Sequence, residues 1–346
     1  MNQPEPRLPI VPPQPLPHDI GTAMRPPALA EILASTDLDP ECYFGPPSPD
    51  PPAAPRPFTG GPPTLAGELD PAMAGMPLRD LCARATGLPP EEAEELVRFG
   101  GIWLDSRQKL DPELPLPARG EFRVNFPAYG IWRFYEADPG RIVYEDGSVL
   151  VYDKESGRPS QGVPHDVHNN ALSALVRLTG LELRLPHRLD AGTSGLLIMA
   201  KTREAAGELG KAFQKGRVSK RYVALSEGEG PAWDEQEVRA AVAKNAGKLV
   251  CRANGPGLAA HTTLRVLARR GAKTLFLAVP HTGRTHQIRL HLSFEGHPIA
   301  GDRFYGGVPR PRLMLRASGI SFPHPLTGRP VVLGEPWEDD GGCGGK

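Results

Sequence analysis

The sequence predicts an α+β fold in which a mixed, mostly antiparallel sheet is flanked by helices. Between residues 138 and 336, short apolar runs typical of strands outnumber the segments with helical periodicity. The composition changes along the chain, with most prolines in residues 1–70 and the basic charge concentrated later. These observations indicate one main domain, preceded by a small second unit and a leader.

The leader comprises residues 1–70 and includes the run PPSPDPP at Pro46 to Pro52. It has few apolar periodic runs, so we expect it to be largely disordered or extended and to contribute nothing to a core. Residues 337–346 are predicted to form a flexible tail.

The second unit is predicted over residues 71–130. Its elements lie between Met76 and Phe126, and about fifty residues make a marginal domain. Helix-start prolines and a Gly-Gly turn divide it into two helices and two short strands. The predicted elements are helices Pro77–Thr86 and Pro89–Phe99, and strands Ile102–Leu104 and Phe122–Asn125.

The main domain is predicted over residues 138–336. Its predicted strands are Val149–Tyr152, Leu196–Ala200, Tyr222–Leu225, Thr262–Leu267, Thr274–Val279 and Leu313–Leu315. Its predicted helices are Val167–Leu178, Glu204–Gln214 and Thr285–Phe294.

A first motif, LPHRLDAGTSGLLIMAK, occupies Leu185 to Lys201. Asp190 lies between a basic pair and a Gly/Thr/Ser turn that leads into an apolar strand. A carboxylate fixed at a strand edge beside Arg188 suits a nucleophile or a general base. On these residues alone, Asp190 and Ser194 could equally serve only as hydrogen-bonding groups of the turn.

A second motif, HTGRTHQIRLH at His281 to His291, brings Arg284, His286, Arg289 and His291 into one short element, and such a cluster favours phosphate or base contacts. A metal site is disfavoured because His286 and His291 are five residues apart, outside the i, i+4 spacing. No HExxH or paired CxxC accompanies them.

The charge balance supports a polyanionic partner. The whole chain has 40 basic and 40 acidic residues, but residues 187–316 hold 22 Lys and Arg against 10 Asp and Glu. The densest run is either a solvated face or a contact for the phosphate backbone of such a partner, and we expect the contact; it comprises Lys211, Lys215, Arg217, Lys220 and Arg221.

The lack of a recognisable targeting signal and the spacing of the cysteines both predict a cytoplasmic protein. No apolar run of 18 residues and no secretory leader is present, so neither membrane insertion nor secretion is indicated. Cys42, Cys82, Cys251 and Cys343 are scattered without metal spacing, as in a reducing compartment.

The motif HRLDAGTSGLLIMAK, the piece SKRYVA at Ser219 to Ala224, and GRTHQIRLHLSFEGHPIAGDRFYG occur in this order. Together they resemble the RluA-type family of RNA pseudouridine synthases, from about Ile142 to Pro330. The resemblance implies that Asp190 is the essential catalytic residue, that Tyr222 stacks on the uracil and that Arg289 pairs with Asp190. It also implies a substrate-binding set of His187, Arg188, Thr193, Arg284, His286 and Leu315.

The implied reaction breaks the N1–C1′ bond of uridine, rotates the base, joins C5 to C1′ and releases the C5 proton. No redox step is involved, so we expect no metal and no organic cofactor. Asp190 acts either as a nucleophile or as a base toward a ribose proton, and the sequence does not choose between these. The target uridine must leave its stack, and Arg188 with His187 is our candidate to fill the gap; phosphate contact or turn structure is the alternative.

Two regions fit the resemblance less well. The 71–130 unit is similar to the RNA-binding module named after a small-subunit ribosomal protein, but it is acidic at Glu91 to Glu95, so RNA binding and a packing role both stay open. Arg316 occupies a position where family members often have His.

Two other function classes remain open. One is a noncatalytic RNA-binding protein on the same fold. The other is a metal-dependent phosphoesterase acting through His281, His286, His291 and Asp302. Our first expectation is a monomeric RNA-modifying enzyme with no membrane association, acting on ribosomal or transfer RNA.

Overall fold

The computed structural model describes residues 29–34, 43–44, 64–125, 135–164, 166–253 and 255–334. It divides into two compact units. The first comprises residues 1–48, 138–160 and 179–346, and the second comprises residues 49–137 and 161–178.

The helices are α1 (Leu29–Ala34), α2 (Leu78–Thr86), α3 (Pro90–Arg98), α4 (Ala171–Thr179), α5 (Arg203–Gln214) and α6 (Gln287–Phe294). The strands are β1 (Thr64–Glu68), β2 (Ile102–Leu104), β3 (Arg107–Lys109), β4 (Glu121–Asn125), β5 (Ile142–Glu145), β6 (Val149–Lys154), β7 (Ser194–Ala200), β8 (Ser219–Glu227), β9 (Glu235–Arg239), β10 (Ala241–Asn245), β11 (Lys248–Arg252), β12 (His261–Arg270), β13 (Lys273–Pro280), β14 (Leu315–Pro323) and β15 (Pro330–Gly334).

The second unit contains an antiparallel sheet in the order β1-β4-β2-β3 together with α2 and α3. Leu78 and Leu81 of α2 pack with Leu96 and Val97 of α3 in one buried cluster. Helices α2 and α3 and strand β2 lie where the sequence predicts them. Strand β1 begins at Thr64, before the expected start of this unit at residue 71.

Helix α4 groups mainly with the second unit, although the sequence assigned it to the main domain. It begins at Ala171, four residues later than predicted. The side chain of Asp166 accepts hydrogen bonds from the backbone of His168 and Asn169, and the Asn170 Oδ1 accepts one from Ser173 N at 2.9 Å. The Asp166 bonds hold the backbone before the helix in a turn, and the Asn170 bond satisfies a backbone N–H of the first helical turn. The helix therefore starts at Ala171 and not at Val167.

The first unit is built on a nine-stranded sheet in the order β5-β6-β7-β14-β8-β13-β12-β9, with β15 paired to β14. The β7–β14 pair is parallel and the other pairs are antiparallel. The prediction of a mixed, mostly antiparallel sheet with flanking helices is therefore confirmed.

The predicted strand Leu313–Leu315 is misplaced, because β14 starts where that prediction ends. The backbone of Met314 donates to Ala300 O at 2.9 Å and accepts from Leu225 N at 3.0 Å, so Met314 contacts two different segments and lies just before the strand. Continuous pairing with β8 begins at Leu315, opposite Ala224.

Part of the predicted leader contributes to the core of the first unit. Leu29 and Ile32 of α1 are at most 1% exposed, and Tyr43 and Phe44 are also buried, in the same cluster as Phe276. The expectation that residues 1–70 add nothing to a core is wrong for these residues, because their apolar side chains are buried in a core cluster of the main sheet. Pro46 to Pro52 and the predicted tail, residues 337–346, lie outside the described residues. Among the described helices, none has the length and apolar character needed to cross a membrane.

Candidate active site

Asp190 lies in the turn that leads into β7, and its side chain is 29% exposed. The Thr193 N–H donates to the Asp190 carbonyl at 3.0 Å, which closes the turn. The hydroxyl of Ser160 both donates to Leu189 O at 2.7 Å and accepts from Leu189 N at 2.9 Å. The residue before Asp190 is thus held on both sides of its backbone, which limits the positions that the carboxylate can take.

The end of β6 and the residues that follow it brace the other side of this turn. The Lys154 Nζ donates to Ala191 O at 3.2 Å, and the Ser156 hydroxyl donates to Gly192 O at 2.7 Å. Lys154 is fully buried, and burial lowers its pKa to about 7. Sequence reasoning missed this brace, although a lysine that ends a fully buried strand was an available signal.

Arg289 lies on α6 and is 6% exposed. Its Nη1 lies 3.7 Å from Asp190 Oδ2, as the resemblance predicts. Its shorter contacts are with Asp302, at 2.7 Å from Nε to Oδ2 and 2.8 Å from Nη2 to Oδ1. Asp302 therefore fixes the guanidinium in a bidentate pair and leaves one nitrogen for Asp190. Sequence analysis considered Asp302 only for the metal-dependent alternative and did not predict its pair with Arg289.

His286 occupies the N-cap of α6 with φ 57°, a left-handed conformation uncommon for residues with a side chain. Helix α6 therefore begins at Gln287, two residues after the predicted start. The His286 Nδ1 lies 2.7 Å from the Tyr305 hydroxyl and its Nε2 lies 3.8 Å from Asp190 Oδ2. Burial lowers the pKa of His286 even though Asp190 opposes the shift, which favours a neutral imidazole at neutral pH.

Gln287 fixes the loop that carries Arg284 and His286. Its Oε1 accepts from the Thr282 hydroxyl at 2.7 Å and from Arg284 N at 3.0 Å. Its Nε2 donates to His261 O at 2.9 Å. The sequence did not single out this glutamine.

Tyr222 and Leu315 come from the neighbouring strands β8 and β14. Tyr222 is half-buried, and burial together with the Asp190 carboxylate raises its pKa. The phenol therefore stays protonated at neutral pH. Leu315 is 3% exposed and supplies an apolar wall.

One cleft of about 820 Å³ gathers the predicted site residues. This volume is in the usual range for sites that enclose a small molecule or a single base. The cleft is lined by all nine predicted residues: His187, Arg188, Asp190, Thr193, Tyr222, Arg284, His286, Arg289 and Leu315.

The environment of His187 argues against the phosphate contact considered for it. Its ring stacks on Phe213 with centroids 4.8 Å apart, and its Nε2 accepts a hydrogen bond from Ile198 N at 2.9 Å. Burial lowers the pKa of His187 to about 3, so the ring is neutral. Thr193 is only 3% exposed and serves mainly the turn, whereas Arg188 is exposed at the cleft.

The predicted basic run does not form one exposed face. Lys220 and Arg221 belong to β8, inside the sheet. Arg221 is only 4% exposed, and burial lowers the pKa of Lys220. Lys215 and Arg217 are exposed, and Lys211 pairs with Glu208 at 2.7 Å. Any backbone contact by this run would fall mainly to Lys215 and Arg217.

The residues of the metal-dependent alternative do not converge on an ion site. His291 is fully buried, with its Nδ1 2.8 Å from the Thr262 hydroxyl and its Nε2 3.3 Å from Ala240 O. Asp302 is engaged by Arg289. Because His291 and Asp302 are occupied in this way, the phosphoesterase hypothesis loses its structural basis.

Comparisons with known proteins agree with this geometry. A family model described as RNA pseudouridylate synthase matches residues 148–294. The ribosomal large subunit pseudouridine synthase C of Vibrio cholerae is 38% identical over 212 residues, which cover 57% of this chain and 65% of that protein. The protein of the same name from Escherichia coli O157:H7 is 31% identical over 287 residues, covering 73% of this chain and 86% of that protein. The chain belongs to the RluA-type family of RNA pseudouridine synthases.

The match to the Vibrio cholerae relative spans slightly less than two thirds of that protein's length. Among solved structures, human RNA pseudouridylate synthase domain containing 1 is 29% identical with a TM-score of 0.49, covering 56% of this chain and 82% of the human one.

Arg316 is the position at which this RluA-type family member departs from the expected His. Its Nη2 lies 3.0 Å from Asp153 Oδ2, and its guanidinium lies 5.6 Å from the centre of the Tyr43 ring. The side chain is largely buried. The substitution is accommodated by a buried ion pair and by a residue of the leader.

Proposed function

We propose that this RluA-type family member converts uridine to pseudouridine in structured ribosomal RNA, with Asp190 as the catalytic group. The observation that carries the proposal is the Asp190 carboxylate in a large cleft, 3.7 Å from Arg289 and 3.8 Å from His286. The names of the curated relatives support ribosomal RNA as the substrate class, and transfer RNA is the second candidate. A cytoplasmic location and a monomeric state belong to the same proposal.

The contacts of Asp190 suit a group that reacts as a carboxylate. The Arg289 guanidinium stabilises the negative charge, and the bidentate pair with Asp302 keeps it in place. Asp190 then attacks the nucleotide or removes a ribose proton while the N1–C1′ bond breaks. Once C5 has joined C1′, the C5 proton leaves, and Tyr222 is our candidate for handling it.

The flipped uridine leaves a gap in the RNA that a protein side chain must fill or brace. Arg188 is exposed at the cleft and keeps this predicted role. Phe304 is a second candidate, because it is 79% exposed and its ring centre lies 5.5 Å from the Arg289 guanidinium. An exposed aromatic ring in this place suits stacking on a base next to the target.

Tritium release from RNA labelled at uracil C5 tests the proposal, because forming pseudouridine expels that tritium. Ribosomal and transfer RNA pools from cells lacking the protein are incubated with it in the presence of a chelator. We expect release from ribosomal RNA. Binding without release from either pool would support the noncatalytic RNA-binding alternative, and release only without chelator would restore a metal-dependent mechanism.

A further inference from the structure

Three side chains of the types that bind metal ions lie close together on adjacent strands of the main sheet. They are not among the Asp190 contacts described above. Glu237 lies on β9, His261 begins β12 and His281 directly follows β13. The strand register explains their proximity: Glu237 is paired with Thr263, two residues from His261, and His281 N donates to His261 O at 2.9 Å. One ligand atom from each of the three side chains lies within 4.8 Å of the others.

The side chains already share one local arrangement. The two imidazole rings are stacked with centroids 4.2 Å apart and an interplanar angle of 24°. The His261 Nε2 lies 3.0 Å from Glu237 Oε2. Ligand atoms around a tetrahedral ion are about 3.3 Å apart, given metal–nitrogen and metal–oxygen bonds of about 2.0–2.2 Å. Small side-chain rotations therefore bring all three atoms into coordination distance.

A neighbouring side chain limits the positions of the His281 ring, because the Thr263 hydroxyl lies 2.8 Å from His281 Nε2.

Arg239 opposes an ion at this position, because its Nη2 lies 2.8 Å from Glu237 Oε2. Both side chains are exposed, and an exposed pair of this kind contributes little free energy. The Glu237 Oε1 has a longer contact, 3.5 Å from the Thr263 hydroxyl. A bound ion can therefore take Oε1, or displace the guanidinium at modest cost.

We propose that Glu237, His261 and His281 bind a divalent transition-metal ion of the Zn²⁺ and Co²⁺ class. Two imidazoles and one carboxylate are ligands that such ions prefer. Three protein ligands leave a coordination position open, and His281 also lines the cleft that contains Asp190. This ion takes no part in the Asp190 reaction.

Titration of the reduced full-length protein with Co²⁺ near neutral pH tests the site, with visible absorption and calorimetry as readouts. We expect one ion per chain without the strong near-ultraviolet absorption of cobalt–thiolate bonds, which separates this site from the cysteines. The variants Glu237→Gln, His261→Ala and His281→Ala should each lower the affinity roughly tenfold or more.

Glu235→Gln is the matched control, because Glu235 is exposed on the same strand and pairs with Arg265 at 2.8 Å. Its Co²⁺ affinity should equal that of the wild type, and circular dichroism checks that every variant is folded. Absence of Co²⁺ binding, thiolate bands in the spectrum, or unchanged affinity in folded His281→Ala would overturn the proposal. Failure here leaves the uridine chemistry untouched, since that assay is run in chelator.

Discussion

At the scale of single residues, the proposed site combines one carboxylate, Asp190, with side chains that limit where it and its partner Arg289 can lie. Asp190 is held by backbone contacts to Ser160 through Leu189, and Arg289 is held by Asp302. Local sequence pattern pointed to Asp190 because the motif that contains it is contiguous. It could not point to Asp302, because the pair with Arg289 is made only when the loop after α6 folds back.

Tyr222 offers a test of how the C5 proton leaves. Its phenol is kept protonated because burial and the Asp190 carboxylate raise its pKa. If the hydroxyl relays the proton, Tyr222→Phe should slow single-turnover tritium release about 100-fold, the lower end for general acid–base catalysis. Tyr222→Ala should be slower still. A Phe variant at the wild-type rate, beside a slow Ala variant, would limit Tyr222 to stacking.

Phe304 offers a test of base stacking. Stacking of one base on an aromatic side chain contributes about 1–3 kcal/mol. Phe304→Ala should therefore weaken binding of substrate RNA roughly tenfold, measured by fluorescence anisotropy with a catalytically inactive background. Leu326→Ala is the control, because Leu326 is also an exposed apolar residue, at 64%, on the turn before β15. Equal effects of the two substitutions would contradict a specific stacking role.

At the scale of secondary structure, the buried strands were predictable and the edge strands were not. Strands β6 and β7 are buried along their whole length, and their apolar runs mark them in the sequence. Strand β9, with sequence EQEVR, is mostly exposed and has one buried residue, Val238. It is a strand because β12 offers it a partner edge, and no local pattern reports that partner.

The His187 contact at β7 predicts a pH dependence of stability. The pKa of His187 falls from 6.5 to about 3 on folding, so the unfolded chain binds an extra proton between these pH values. The free energy of unfolding from this group therefore decreases as the pH falls through that range, by about 1.5 kcal/mol between pH 6.5 and pH 5.

Urea unfolding at these two pH values, with His187→Gln for comparison, measures this contribution. Glutamine does not titrate and still presents an acceptor oxygen to Ile198 N. The variant should lose about 1.5 kcal/mol less than the wild type over this interval. An identical loss in both proteins would show that His187 titrates normally in the folded state.

At the scale of the whole molecule, the charge distribution matches the position of the cleft. The +12 balance of residues 187–316 surrounds the site motifs, while the complete chain is neutral. The neutral total hides this local excess of positive charge, which is visible only when the charges are counted by segment. RNA binding by the predicted 71–130 module stays a prediction.

Salt dependence of RNA binding tests the exposed part of this charge. Each lysine or arginine that neutralises a phosphate adds about 0.7–0.9 to the slope of log affinity against log salt. The double variant Lys215→Gln/Arg217→Gln should reduce that slope by about 1.5. Arg329→Gln, exposed beside β15, should leave it unchanged. A slope unaffected by the double variant would place the RNA backbone elsewhere.

The most direct test of the central claim is single-turnover tritium release by Asp190→Asn, compared with wild type in chelator. Asparagine keeps the size of the side chain and leaves the backbone hydrogen bond of the turn in place, but it removes the carboxylate. We predict no release above background, with RNA affinity and thermal unfolding close to those of the wild type. Release at a rate within a few-fold of the wild type would contradict the assignment of Asp190 as the catalytic group.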